Sequence, residues 1–82
     1  MDTQADTARY SLVIQWSDED CLYIATCPEL SGCRTHGATR VEALVNGEEA
    51  IADWLFIAPN AGWNVPAPHI FGGDRALAVS VS

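Results

Sequence analysis

The boundary at Thr39 constrains this chain more than any other feature. Thr39 stands just before a periodic apolar run, and Glu42 follows three residues later. A hydroxyl and a carboxylate at that spacing can each satisfy a backbone N–H that a helix start leaves orphaned, so the pair marks a helix N-terminus. Beyond it Val41, Leu44, Val45, Glu48, Ile51, Trp54, Leu55 and Ala58 recur at three- and four-residue steps, and all but Glu48 are apolar. That period predicts one amphipathic helix over 39–57, with Glu42, Asn46, Glu49 and Asp53 off the apolar stripe. Gly47 falls on the stripe at a cost of ~1 kcal/mol against alanine, and a close approach of helix to sheet accounts for it. Pro59 is expected to stop the helix within a few residues.

A lone helix must bury its stripe against something, and the rest of the chain offers strands. Tyr10 to Trp16 alternates with period two, Tyr10, Leu12, Ile14 and Trp16 on one face and Ser11, Val13 and Gln15 on the other. Asp18, Glu19 and Asp20 form a polar turn; consecutive acids cannot all point one way, which favours a solvated hairpin over a metal site. Cys21–Thr26 is the second strand, antiparallel to the first because the link is so short. Pro28 ends it, Leu30 plugs the next connection, Gly32 lets the chain turn, and Cys33–His36 is a short third strand ending at Gly37. His36 has no partner acid or nucleophile in any sequence pattern and reads as a polar strand-end residue. Residues 60–68 are rich in turn formers, and 75–81 alternates again as a fourth strand. The expected fold is α+β, in the order β-β-β-α-β, an antiparallel sheet with one helix packed on one face. Leu12, Ile14, Leu44, Ile51, Leu55 and Val79 are its expected core. Residues 1–9 read as a flexible tail and 10–82 as a single domain.

Composition narrows the function. Eleven acids stand against four arginines, with no lysine, for a net charge of −7. Affinity for nucleic acid comes largely from neutralising phosphates with Lys and Arg, so this balance argues against direct DNA or RNA binding and for a basic protein partner. The polar first nine residues lack a signal-peptide core, and no apolar run approaches the ~20 residues that span a bilayer. A cytoplasmic protein is expected. Three cysteines, Cys21, Cys27 and Cys33, are an odd count without a Cys-x-x-Cys pair, which fits small buried hydrophobes better than disulfides or zinc. No metal or cofactor is expected. A ribonuclease-H-type nuclease would need carboxylates converging on two metal ions, and the expected strand interiors contain no Asp or Glu.

An ordered set of residues carries a family resemblance: Tyr10–Ile14, the acidic turn, Tyr23–Ala25, Pro28-Glu-Leu-Ser-Gly-Cys33, Thr35, Gly37, Thr39, Glu42-Ala43, Glu49-Ala50 and Val65-Pro66-x-Pro68. Over roughly residues 10–68 the chain resembles the HicB antitoxin family. The resemblance implies a truncated ribonuclease-H-like fold without nuclease chemistry. It also implies a partner, a small basic HicA-type toxin that cuts mRNA and is masked by binding. The chain departs from the family at Ser31, where a proline is usual, at Ala38, where an acid is usual, and at Cys21 or Leu22, where a glycine is usual. Fourteen residues follow Pro68 and read as one strand, not a DNA-binding domain, so no operator binding is expected.

Candidate partner-binding residues are Asp18, Glu19 and Asp20 in the turn, Glu29 in the neighbouring connection, and Glu42, Glu49 and Asp53 on the helix. Because one helix covers one sheet face, Val13, Tyr23 and Ala25, with Trp63 in a loop, are expected to present apolar surface for a homodimer or higher oligomer. The alternative is a stand-alone oligomeric scaffold without a toxin partner.

Overall fold

The structure is a computed structural model and describes residues 7–71. Three strands, β1 (Val13–Ser17), β2 (Leu22–Thr26) and β3 (Arg34–Gly37), precede one long helix, α1 (Arg40–Ala61). The strands form an antiparallel sheet in the order β1-β2-β3, the arrangement expected from the sequence for this part of the chain. The expected fourth strand and Val79 lie outside the described residues. Among the described residues no helix is long and apolar enough to cross a membrane. Thr7–Arg9, assigned to the tail by sequence, form a turn of helix in which Thr7 is buried.

The helix start follows its cap. Thr39 Oγ1 accepts from the Glu42 N–H at 3.0 Å. The Glu42 carboxylate reaches back one residue further than a standard capping box and accepts from the Ala38 N–H at 2.6 Å. Pro59 does not end the helix; it lies inside the last turn. Gly62 ends it, in the left-handed region at φ 78. That turn lets the Trp63 N–H bond Ala58 O at 2.9 Å and the Gly62 N–H bond Pro59 O at 3.4 Å, satisfying the carbonyls of the final turn.

Pairing fixes the two sheet faces. Ile14 lies opposite Ala25 and Trp16 opposite Tyr23; Ala25 lies opposite Thr35 and Tyr23 opposite Gly37. Directly paired residues share a face, so these six form one side. It is the helix side, because Ala25 lies beneath Gly47 and Gly37 against the Ala43 backbone. The open side carries Val13, Gln15 and Ser17 opposite Thr26, Ile24 and Leu22. Tyr23 and Ala25, placed on the open face by the sequence reading, therefore lie under the helix, and Ala25 is buried.

The helix itself is turned by about one residue from the expected stripe. Its buried positions are Ala43, Gly47, Ile51 and Ala58. Leu44, expected in the core, is 40% exposed, and Val41 and Val45 are also exposed. The cause is the separation of helix and sheet. A Cβ on Gly37 would stand 2.3 Å from the Ala43 nitrogen, and one on Gly47 would stand 2.9 Å from a Leu12 methyl. Only the smallest side chains fit a helix held that close. Toward the other end the space is filled by Ile51, Leu30, Cys27 and Cys33, with Tyr10, Leu12, Ala50, Trp54 and Leu55 packed around them.

Candidate functional site

The acidic turn lies at the tip of the β1–β2 hairpin and is held in place by neutral groups. The Trp16 indole N–H donates to Asp18 Oδ1 at 2.6 Å. The Ser17 hydroxyl donates to Asp20 Oδ2 at 3.2 Å and accepts from the Asp20 N–H. Cys21 closes the turn with its N–H on Ser17 O at 2.8 Å. Its φ of 56 is the conformation a glycine would adopt without steric cost. Cys21 is exposed, unlike the buried role expected for all three cysteines. The indole and the hydroxyl restrict the movement of Asp18 and Asp20 and are themselves uncharged.

A stack of side chains links this tip to the helix start. Trp16 meets Tyr23 edge to face at 5.1 Å, and the Arg40 guanidinium lies 5.2 Å from the centre of the Tyr23 ring on the sheet's helix side. Glu42, Asn46, Glu49 and Asp53 follow along the helix at three- and four-residue steps, which places them on one strip. Asn46 anchors that strip to β3 by donating to His36 O at 2.8 Å. Glu42, Glu49 and Asp53 are exposed, as are Asp18, Glu19 and Asp20. The fold thus gathers six of the seven candidate acids into a hairpin tip and a helix strip. The tip and the helix start lie at the same end of the domain.

Glu29 is the exception. It is 7% exposed and points inward. Its carboxylate accepts from the Ser11 hydroxyl at 3.0 Å and the His69 N–H at 2.8 Å, and its two oxygens accept from the Ser11 N–H at 3.1 and 3.3 Å. The Cys27 thiol adds a weak contact at 3.5 Å. Burial alone would raise its pKa. The hydrogen bonds from the His69 N–H, its own N–H, and the Ser11 hydroxyl and N–H outweigh burial and hold it down at about 2. Glu29 ties three separate parts of the chain together and is not a contact residue at the surface. Nothing local in the sequence signals this, because one donor lies forty positions away.

The stability consequence has a definite sign. A carboxyl whose pKa falls on folding stabilises the native state above its ordinary value, near 4.5, and that contribution disappears as pH falls toward 2. Glu29→Gln is expected to cost roughly 1–3 kcal/mol at pH 7. In denaturant melts the gap between variant and wild type should narrow at pH 3. A gap that stays constant with pH would rule out the ionised carboxylate as its cause.

The remaining chemistry is muted. Burial raises the Cys27 thiol to about 11 and raises Cys33 as well, so both are protonated at neutral pH and are weak nucleophiles. No group of three or more His, Cys, Asp or Glu side chains among the described residues is placed to hold a metal ion. Trp63, expected as an oligomer contact, stacks on Trp54 at 5.2 Å while staying half exposed. A second apolar surface, made by Val41, Val45 and Phe56, is not evident from the sequence, because the first two also fit the core stripe.

Forty-seven residues of this chain are 43% identical to the UPF0150 protein Ta0767 of Thermoplasma acidophilum, a match that takes in 57% of the chain and 67% of that relative. No family profile matches the chain. No solved structure matches it either.

Proposed function

The chain belongs to the UPF0150 family, and from that premise we propose that it is a binding protein that inhibits a small basic RNA-cleaving toxin of HicA type. That family name states no activity, so support for the reading comes from the surface and from the resemblance of residues 10–68 to HicB antitoxins. One observation carries most of it: the exposed acids of the hairpin tip, two of them hydrogen-bonded in place, together with the strip of Glu42, Glu49 and Asp53. Asp18 and Asp20, held by neutral partners, contribute to a negative field at a reduced entropy cost on binding. A basic surface that holds RNA phosphates is its complement, and occupying that surface excludes the RNA.

Steering by these acids has a kinetic signature. Changing Asp18, Glu19 and Asp20 together to serine is expected to slow association with a small basic ribonuclease of HicA type by roughly tenfold at low salt. The salt dependence of the association rate should flatten at the same time. Surface plasmon resonance between low and physiological salt makes the comparison. An unchanged rate and slope would remove the tip from the encounter surface.

A further inference from the structure

We propose that the solvent side of α1 is a docking surface for a partner helix that carries basic residues beside an apolar stripe. The proposal rests on the binding-protein reading above and assigns the surface such a partner would use.

Val41, Val45, Ala52 and Phe56 are spaced by four, seven and four residues, which places them along one side of the helix. That side lies away from Ala43, Gly47, Ile51 and Ala58, which face the sheet. Val41 is 69% exposed and Phe56 77%, with Val45 about half exposed. α1 is therefore apolar toward the core and apolar again toward solvent, with the acidic strip between. Exposed apolar surface of this kind serves recognition more often than stability. From Val41 to Phe56 the band runs about 22 Å, enough to seat some four turns of a second helix. Ala52 near its middle leaves room for a partner side chain to enter.

Charge selects the occupant. Glu48 lies within the band, and Glu42, Glu49 and Asp53 line one edge. Arg40, the cation nearest the helix start, is held over the Tyr23 ring. A second copy would bring acid against acid in a chain of net charge −7. A helix with Lys or Arg flanking its apolar stripe would pair with Glu48 and with the acidic edge while covering the valines and Phe56.

Three labelled synthetic peptides of eighteen residues test this by fluorescence anisotropy with the full chain. One has a leucine stripe flanked by lysines, the second has glutamates in place of the lysines, and the third scrambles the first so that the stripe is lost. The first is expected to bind at least about tenfold more tightly than the other two. The double variant Val45→Asp, Phe56→Ser should lose that binding by a similar factor while keeping its circular dichroism melt. Glu48→Lys, an exposed change that leaves the fold alone, should shift preference toward the glutamate peptide. Equal binding of the scrambled peptide, or unaltered binding by the double variant and by Glu48→Lys, overturns the proposal. So does a dimer in sedimentation that the double variant dissolves, because the occupant is then a second copy. No binding of the first peptide by the wild-type chain, with inhibition of the ribonuclease intact, sinks this surface alone; a full chain that inhibits nothing sinks the function proposed above.

Discussion

Gly37→Ala is expected to destabilise the fold by about 3 kcal/mol, the upper end of what overpacking usually costs. An alanine Cβ there would lie 2.3 Å from the Ala43 nitrogen, 2.7 Å from the Glu42 carbonyl carbon and 2.8 Å from the Ala43 Cα. All three are backbone atoms of the first helical turn, so no side chain can rotate away to make room. The helix must lift from β3 or the strand must bend, and either movement disturbs the cap at Thr39. Gly47→Ala is the informative contrast. Its Cβ meets Leu12 methyls at 2.9 and 3.0 Å, the far end of a flexible side chain. Alanine also favours the helix by ~1 kcal/mol. A chemical melt that finds Gly37→Ala as stable as wild type would contradict the close helix–strand contact.

The second large effect is expected at Ile51. It is fully buried among Leu30, Cys27 and Cys33, and Ile51→Ala should cost about 3–4 kcal/mol through lost burial and the cavity left behind. Leu44→Ala, by contrast, should cost under about 1 kcal/mol, since 40% of that residue already meets water. Urea melts of the two variants side by side read the rotation of α1 directly. Equal losses would put Leu44 back in the core and refute the orientation of the helix.

Much of this architecture was legible in the sequence. Thr39 and Glu42 locate the helix start because capping is a local interaction, and the acids of 18–20 mark a hairpin because so short a link allows nothing else. Gly47 announced a close approach, and Leu12 and Ala25 lie beneath it. The phase of the helix was legible only in part: Ile51 and Leu55 lie at the core as expected, and Leu44 does not. Hydrophobicity favours Leu44 and Val45, but the backbone separation at Gly37 admits only Ala43 and Gly47, and that separation is tertiary. Sheet parity was lost in a similar way. Four residues link Ser17 to its partner Leu22, so odd positions of β1 face even positions of β2, and Val13 cannot share a side with Tyr23 and Ala25. Glu29 looked like a surface acid because its donors at Ser11 and His69 are remote in the chain.

At the site, the sequence identified six acids that the fold leaves exposed. It did not identify the apolar band beside them, because Val41 and Val45 were assigned to the core. In the proposed complex the acids would govern the encounter and the apolar contact the lifetime.

An RNA-cleavage titration tests the proposed inhibition. Labelled RNA is incubated with a small basic ribonuclease of HicA type while the full chain is added in steps. Cleavage is expected to fall in proportion to added protein and to stop when the two are present in a fixed stoichiometric ratio. Cleavage that continues unchanged with the chain in excess would contradict the inhibitor reading and leave the oligomeric scaffold in its place.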